Sequence, residues 1–426
     1  MKKRILVLPC GSETGLEINR ALAYSKDFEL VGASSQDSNH GRYVYKNYIK
    51  IKSYIDDVNF IEELNWLVNK YKIDFIFPAH DSVVLKLSEC RNKIEATVIC
   101  PSYETCRVCR EKSRTYELFK NIVKTPIIYR NIHASIEFPV FLKPNVGQGS
   151  KGTYLAKSIE EIEFYRKLDN TLLILEYLPG REYTVDCFTD RFSKLVFFGG
   201  RERKRIYNGI SVDTCPIEDS RFKEMAEKIN NTLDMRGVWF FQVKENKDGE
   251  FVLLEIGPRV AGSMGLYRSL GVNLPLLSLY DRLEVNTKLI PNSFHIEMDR
   301  ALSCKFNINY YYENIYVDLD DCLIQNGKVN PLIIGFLFQC INNGKKIFLL
   351  TKHSGDLLEH LKLFRIRELF DGIIQIEKSK EKLNYIKTSA SIFIDDSFDE
   401  RYKVNKELNI PTFDINAVEA LLDWKV

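Results

Sequence analysis

The 426-residue sequence lacks the features that mark membrane proteins and nucleic-acid-binding proteins. It has no run of about 18 apolar residues, so the sequence predicts no membrane-spanning helix and no membrane partner. It has no long block of like charges, and its 60 Lys and Arg nearly match its 58 Asp and Glu. Because nucleic acid requires a concentrated basic surface, we expect no nucleic-acid partner.

A disulfide framework is also missing, although the sequence contains ten cysteines. Such frameworks are typical of much shorter secreted chains, whereas these cysteines are scattered. The one close pair, Cys106 and Cys109, has no second pair downstream at zinc-finger spacing. We interpret it as a buried pair of helical thiols, with metal or redox chemistry as the alternative, and expect a reducing cytoplasm.

The chain is long enough for roughly two or three domains with their own cores. Residues 1–108 alternate short apolar runs with helical spacing, which predicts an α/β domain with a parallel sheet. Residues 109–308 contain longer β-rich runs, which favour an α+β domain with antiparallel sheets. Strand and helix patterns alternate again over residues 312–426. The expected fold class is therefore multidomain, α/β and α+β.

A glycine-rich segment at residues 147–152 contains the pattern G-x-G-x-x-G. In a dinucleotide-binding fold this loop opens a helix, but here another strand pattern follows it. We therefore interpret it as a hairpin loop whose bare backbone N–H groups cover a polyphosphate, with Lys143 on the incoming strand adding a positive charge. A simple glycine-rich hairpin without a ligand is the alternative.

Two later strands place polar groups among apolar neighbours. Gln242 lies in one of them, and Glu255 lies near the end of the other, four residues before Arg259. A carboxylate in such a place is costly to bury unless it meets a cation. Mg²⁺ would satisfy it, because Mg²⁺ takes few protein ligands and fills its shell with water and phosphate oxygens.

Over residues 1–300 these motifs resemble the ATP-grasp superfamily, particularly its carbamoyl phosphate synthetase and biotin carboxylase branch. The resemblance includes the α/β leader, the glycine loop, the segment E-Y-L-P-G-R-E at residues 176–182, and Q…E-I-G-P-R. It implies an α/β leader domain followed by an ATP-grasp domain. It also implies that the ATP phosphates contact Lys112, Lys143 and the loop residues Gly147, Gly149, Ser150 and Gly152.

The same resemblance implies that the backbone of Glu176, Tyr177 and Leu178 holds adenine and that Glu182 holds the ribose hydroxyls. Gln242 and Glu255 are the implied Mg²⁺ ligands, with Mn²⁺ as the alternative ion, and Arg259 is the implied partner of the transferring phosphoryl group. One position departs from the family pattern E-x-N-P-R. Gly257 stands where the pattern has a metal-binding Asn, so one ligand must come from water or substrate.

Such a site phosphorylates a substrate carboxylate with ATP, and an amine then displaces phosphate from the acyl phosphate. Arg203, or a neighbour in its basic stretch, is the candidate for binding the substrate carboxylate or the acyl phosphate, while a solvated strand edge is the alternative. His80 ends a leader strand and is a second candidate for substrate contact. The alternative is that these residues begin a helix, with Asp81 as its N-cap.

Residues 312–426 contain acids at the ends of two apolar strands: Asp318, Asp320 and Asp321 after one, and Asp395 and Asp396 after the other. Acids this close repel one another without a cation, so the sequence predicts a shared Mg²⁺. Buried acids paired only with lysines are the alternative.

These motifs resemble the haloacid dehalogenase-like phosphatases, with Cys322 where Thr or Val is usual. The resemblance implies a Rossmann-like fold, with Asp318 as nucleophile and Asp320 as general acid and base. It implies Thr351 and Lys382 as phosphoryl ligands, with Lys378 or Lys380 as alternatives to Lys382, and Asp318, Asp320, Asp395 and Asp396 around Mg²⁺. The gaps between motifs are too short for a cap domain, so we expect a site that is either open or roofed by the ATP-grasp portion.

We therefore expect a bifunctional enzyme that joins a small carboxylate to an amine and also hydrolyses a phosphorylated metabolite. Two other functions remain open. The ATP-grasp part is alternatively a kinase that stops at phosphoryl transfer, or a nucleotide-binding regulator with a degenerate site. The sequence leaves room for a homo-oligomer.

Overall fold

The first sheet consists of five parallel strands in the order β3-β2-β1-β4-β5. The computed structural model describes residues 2–131 and 136–425. Ile5, Leu6 and Val7 of the central strand are fully buried, as expected for a strand that helices cover on both faces. The strands are β1 (Lys3–Leu8), β2 (Phe28–Ser34), β3 (Asn47–Lys50), β4 (Phe75–Pro78) and β5 (Thr97–Val98).

The helices of residues 2–119 are α1 (Glu13–Leu22), α2 (Phe60–Tyr71), α3 (Asp81–Glu89), α4 (Tyr103–Arg110) and α5 (Lys112–Phe119). Ser12 caps α1 by accepting a hydrogen bond from the backbone N–H of Gly15. Helix α4 carries Cys106 and Cys109, and both are buried free thiols.

The next segment contains a three-stranded antiparallel sheet in the order β7-β6-β8 and a six-stranded sheet in the order β13-β12-β9-β10-β11-β14. The strands are β6 (Val140–Pro144), β7 (Tyr154–Ala156), β8 (Leu172–Glu176), β9 (Glu182–Thr189), β10 (Leu195–Tyr207), β11 (Ile210–Ile217), β12 (Gly237–Glu245), β13 (Phe251–Gly257) and β14 (Met298–Asp299). The helices are α6 (Ile159–Leu168), α7 (Ser220–Thr232), α8 (Gly265–Ser269) and α9 (Leu274–Arg282).

Residues 2–302 form one unit because the leader sheet and the six-stranded sheet share a hydrophobic core. Ile5 and Val7 of β1 belong to the same buried cluster as Phe240 of β12 and Tyr267 of α8. Strand β10 is 13 residues long, since the basic stretch continues it to a tight turn at Asn208 and Gly209. Both turn residues have positive φ, as a two-residue hairpin requires.

Residues 303–425 form a second unit around a five-stranded parallel sheet in the order β19-β18-β15-β20-β21. Its strands are β15 (Asn314–Val317), β18 (Lys346–Thr351), β19 (Gly372–Gln375), β20 (Ser391–Ile394) and β21 (Thr412–Phe413), with a small hairpin of β16 (Ile324–Gln325) and β17 (Lys328–Val329). Its helices are α10 (Pro331–Asn342), α11 (Leu357–Leu363) and α12 (Phe398–Leu408).

Strand β15 is central and pairs with β18 and β20 in parallel. The carboxyl ends of these three strands therefore meet at one edge of the sheet, where open α/β sheets bind ligands. Asp318, Thr351 and Asp395 lie at that edge. Short 3₁₀ turns occur at His40–Tyr43, Arg91–Lys93, Arg367–Leu369, Lys382–Tyr385 and Ile415–Leu421.

Within residues 2–131 and 136–425, no helix has both the length and the apolar content needed to cross a bilayer.

Replacing Leu349 of β18 with Ala should lower the free energy of unfolding of the second unit by about 2–5 kcal/mol, because this fully buried side chain would leave a cavity. Hydrogen exchange of the β18 peptide, followed by mass spectrometry in rising urea, measures this loss. Leu363→Ala is the control, since Leu363 of α11 is 73% exposed. Equal losses in the two variants would contradict the described burial.

Candidate functional site

The first unit contains a cleft made of two adjoining cavities of about 180 and 200 Å³. Eight residues line both cavities and form the boundary between them. They come from the start of α5, the glycine loop, the β10–β11 hairpin and strands β12 and β13. These shared residues are Lys112, Gly147, Gln148, Gly149, Arg203, Gly209, Gln242 and Glu255.

The smaller cavity, called here the nucleotide cavity, lies beside the three-stranded sheet. Phe141, Leu175 and Leu254 contribute apolar surface to it, which suits a flat base. Most residues predicted to bind ATP line this cavity: Lys112, Lys143, Gly147, Gly149, Ser150, Glu176, Tyr177, Leu178 and Glu182. Their individual roles stay predictions.

The glycine loop joins two antiparallel strands, β6 and β7, as the sequence predicted. Gly149, Ser150 and Gly152 have positive φ, so the loop needs residues that tolerate the left-handed region. Its tip approaches the β10–β11 hairpin so closely that a Cβ at Gly209 would lie 2.3 Å from the Gly149 backbone. Gly152 lies against Pro144 and, within the described chain, lines neither of these two cavities.

Two buried lysines face the cleft with little solvation. Burial, together with the nearby positive charge of Lys112, lowers the pKa of Lys143 to about 7. Burial also lowers the pKa of Lys112. The Lys143 Nζ atom lies 3.4 Å from the backbone oxygen of Leu254. An anion in the nucleotide cavity would favour the charged form of both side chains.

Gln242 and Glu255 lie directly opposite each other on β12 and β13 and line both cavities. No Lys or Arg of the described chain forms an ion pair with the Glu255 carboxylate. A half-buried carboxylate without a paired cation, next to an amide oxygen, is a donor set that fits Mg²⁺.

The side chain of Phe240 fills the space beside Gly257, where the family pattern has Asn. Phe240 pairs with Gly257 across β12 and β13, and a Cβ built at Gly257 would lie 2.3 Å from the Phe240 ring. Asn therefore does not fit at position 257 unless Phe240 moves. The ring also lies under the Arg259 guanidinium, 5.3 Å from its centroid.

Arg259 lines the larger cavity but is tied to the leader segment. Its Nε and Nη2 atoms donate to the two carboxylate oxygens of Asp81 at 2.6 and 2.9 Å. Burial alone would raise the pKa of Asp81, but Arg259 outweighs it and lowers this pKa to about 2. Asp81 is therefore ionised and holds the guanidinium in a fixed position.

The larger cavity, called here the substrate cavity, is rich in arginine. Arg201 is fully buried and donates to both carboxylate oxygens of Asp186 at 2.8 and 3.2 Å, while its Nη1 atom has no hydrogen-bond partner. Arg203 lies 2.8 Å from Glu182, and Arg300 pairs with Glu13. The sequence singled out Arg203. Arg201 lies two residues earlier on β10 and therefore faces the same side of the strand.

His80 lies next to the cleft without lining either cavity among the described residues. Its Nδ1 atom accepts a hydrogen bond from the backbone N–H of Ser82, so His80 itself caps α3. Its Nε2 atom lies 2.6 Å from the amide nitrogen of Gln148 in the glycine loop. The alternative of Asp81 as the helix cap is wrong, because Asp81 is the first helical residue and pairs with Arg259.

The second unit brings its predicted residues together at the carboxyl edge of the sheet. The Lys382 Nζ atom lies 2.7 Å from Asp318 Oδ1 and 2.6 Å from Asp395 Oδ2. Burial raises the pKa of Asp318 to about 7, although Lys382 acts in the opposite direction. Of the three lysines considered, Lys382 is buried at these acids, whereas Lys378 and Lys380 are exposed.

Asp318, Asp395 and Asp396 each place a carboxylate oxygen within 4.8 Å of the others. One lysine cannot balance three carboxylates, so the donor set fits a hard divalent cation such as Mg²⁺. The sequence did not single out His353, whose Nδ1 atom lies 2.9 Å from Asp320 Oδ2. Two residues before it, Thr351 ends β18, and its hydroxyl accepts a hydrogen bond from the His353 N–H.

Comparisons with known proteins relate the first unit to ATP-grasp enzymes. A family profile described as "ATP-grasp in the biosynthetic pathway with Ter operon" matches residues 169–301. The chain is 33% identical over 93 residues to a D-alanine–D-alanine ligase of Petrotoga mobilis, covering 20% of this chain and 31% of that protein. It is 25% identical over 177 residues to a carbamoyl phosphate synthase large chain of Clostridium beijerinckii, covering 38% of this chain and 16% of that protein.

A comparison with solved structures also finds a match for the fold. A biotin carboxylase from Campylobacter jejuni in complex with a β,γ-ATP compound matches with a TM-score of 0.56 and 17% identity, covering 68% of this chain and 72% of that chain. About two thirds of the chain therefore share the fold of this biotin carboxylase. The matched region spans less than a third of the length of either of these two ligase and synthase relatives. The phosphatase assignment of residues 312–426 stays a prediction.

ATP binding near pH 8 should take up roughly one proton, because Lys143 with a pKa of about 7 is mostly neutral there and phosphate favours its charged form. At about pH 6 the uptake should be small, since Lys143 is already protonated, and ATP affinity should fall as pH rises through 7. Isothermal titration calorimetry in buffers of different ionisation enthalpy measures the uptake.

Lys143→Met should abolish this proton uptake, whereas Lys157→Met should keep it, because Lys157 is exposed and lies outside both cavities. Equal proton uptake at the two pH values would contradict the assignment.

Proposed function

We propose that the first unit is an ATP-dependent carboxylate–amine ligase that acts through an acyl phosphate. The observation that carries this proposal is the position of Glu255 and Gln242 at the boundary of two cavities. One cavity has an apolar slot and buried lysines, and the other has arginines. A γ-phosphoryl group at this boundary would lie between its donor and its acceptor.

In this proposal ATP occupies the nucleotide cavity, with the base against Phe141, Leu175 and Leu254. Lys112 and Lys143 bind the phosphates, and the glycine loop covers them with backbone N–H groups. Glu255 and Gln242 would hold Mg²⁺, which neutralises charge on the phosphate oxygens as the phosphoryl group transfers.

The substrate carboxylate occupies the substrate cavity and attacks the γ-phosphorus, so that ADP leaves and an acyl phosphate forms. Arg201 supports this placement, because its free Nη1 atom is buried at the cavity and a guanidinium suits carboxylate oxygens. The amine then attacks the acyl carbon and phosphate leaves. Arg259, held by Asp81, is positioned to stabilise charge on the phosphoryl group.

Glu255→Gln should lower the rate of ADP release by roughly a hundredfold or more, because it removes the one negative charge that would hold the metal. ADP release is measured with pools of small carboxylates and amines. Glu227→Gln on the exposed face of α7 is the matched control and should keep full activity.

Hydroxylamine in place of the amine distinguishes the alternatives, since it converts an acyl phosphate into a hydroxamate. A hydroxamate supports the ligase. A stable phosphorylated product without hydroxamate would show a kinase, and ATP binding without ADP release from any pool would show a nucleotide-binding regulator.

We further propose that the second unit is a phosphatase that acts through an aspartyl-phosphate. The buried cluster of Asp318, Lys382 and Asp395 at the sheet edge supports this proposal. Asp318 attacks the phosphorus, and Asp320 protonates the leaving oxygen. Asp320 then takes a proton from the water that hydrolyses the aspartyl-phosphate, with His353 holding its carboxylate in place. Mg²⁺ at Asp318, Asp395 and Asp396 would neutralise the phosphoryl oxygens.

Asp318→Asn should abolish hydrolysis of p-nitrophenyl phosphate, and Asp320→Asn should slow it by about 10²- to 10⁴-fold as a general acid and base is lost. Asp399→Asn, on the exposed first turn of α12, should have wild-type activity. If Asp318→Asn kept the activity, the nucleophile assignment would be wrong. If it also stopped ATP-dependent ligation, the two activities would not be separate.

A further inference from the structure

A third cavity in the first unit, of about 270 Å³, is lined by four arginines: Arg91, Arg191, Arg236 and Arg282. They come from four separate segments, namely the turn after α3, the β9–β10 turn, the start of β12 and the end of α9. None of its lining residues lines the nucleotide or the substrate cavity. We call it the arginine cavity.

Three of the four guanidinium groups have no carboxylate partner among the described residues. Arg91 donates to the backbone oxygens of Cys100 and Pro101 at 2.7 and 2.5 Å, and Arg282 donates to the Cys100 oxygen at 3.3 Å. Arg191 donates to the side-chain oxygen of Asn286.

Arg236 alone forms an ion pair, 2.8 Å from Asp281. The Arg91 Nε atom is buried without a hydrogen-bond partner.

The three acids at or beside the cavity, Asp190, Asp234 and Asp281, leave the four arginines with one excess positive charge. Asp281 is already occupied by Arg236 and by the backbone N–H of Arg191. Asp190 accepts hydrogen bonds from the backbone N–H groups of Phe192 and Lys194, which close the β9–β10 turn. Asp234 is exposed and forms no ion pair in the described chain. Carbonyl oxygens satisfy hydrogen bonds of the arginines without neutralising their charge.

The electrostatic consequence is clearest at Arg282. Burial lowers its pKa to about 10, and the neighbouring Arg236 and Arg91 lower it in the same direction. The Cys100 thiol lies 3.0 Å from Arg91, and a hydrogen bond with Cys106 together with the arginines lowers its pKa. Positive charges that repel one another around a cavity favour a bound anion, which the remaining N–H groups of the guanidiniums can bind.

We propose that the arginine cavity binds the phosphate group of a small molecule, separately from the nucleotide cavity. The planar forks of Arg91 and Arg282 meet at the Cys100 segment and suit the paired oxygens of a phosphate. This site is independent of the proposed ligase and phosphatase activities, because it uses none of their residues.

Inorganic phosphate and pyrophosphate are the probes, titrated by calorimetry into the full chain saturated with Mg²⁺ and a non-hydrolysable ATP analogue, at constant ionic strength. Arg282→Gln and Arg91→Gln should each weaken the binding at least tenfold. Arg205→Gln is the matched control, since Arg205 is an exposed arginine paired with Asp299 away from the cavity. Binding that is the same in all variants would place the anion elsewhere and overturn the proposal, as would the absence of saturable binding.

A second measurement uses the unmodified protein, so it does not depend on the folding of the variants. Phenylglyoxal labels accessible guanidinium groups, and mass spectrometry locates the label. Phosphate should slow the labelling of Arg282 and Arg91 and leave that of Arg205 unchanged. Equal labelling rates with and without phosphate at all three residues would contradict the site.

Discussion

The position of the Glu255 carboxylate between two cavities is the constraint on which the proposed ligase site depends. The register of β12 and β13 sets Glu255 opposite Gln242, and no lysine or arginine of the described chain pairs with it. Its charge thus remains available for a metal ion. Lys143 on β6 stays within the same cleft but interacts with a backbone oxygen. The Glu255 carboxylate and the two lysines of the cleft therefore form no ion pair with each other. This leaves them available for the proposed metal ion and polyphosphate.

The arginines of the cleft illustrate a different principle, in which acids hold cations in place. Asp186 and Asp81 each accept two hydrogen bonds from one guanidinium, which fixes the direction of its remaining N–H groups. Because these side chains are ordered before any ligand arrives, little reorganisation is needed when charge develops on a phosphoryl group. At Glu182 an arginine has the opposite effect. Arg203 lies beside the Glu182 carboxylate and would compete for it with the ribose hydroxyls that it is predicted to bind.

Sequence patterns predicted the parallel leader sheet, the glycine hairpin and the acids that follow β15 and β20, because each depends on local periodicity or turn residues. They did not predict contacts between distant segments. The pairing of Arg259 with Asp81 joins residues 178 positions apart, and Phe240 fills the space beside Gly257 from the neighbouring strand. Neither residue spacing nor composition contains that information. His353 was missed for the same reason, since only the fold places it at Asp320.

The bond between Asp81 and Arg259 also affects how this chain can be divided. Arg259 belongs to the segment that would carry out phosphoryl transfer, but its counter-ion belongs to the leader. A fragment that begins after the leader would expose a guanidinium with no anion to orient it, next to the apolar surface that β1 now covers. The leader therefore contributes directly to the cleft. The leader of a relative could replace it only if that leader also had an acid at the position of Asp81.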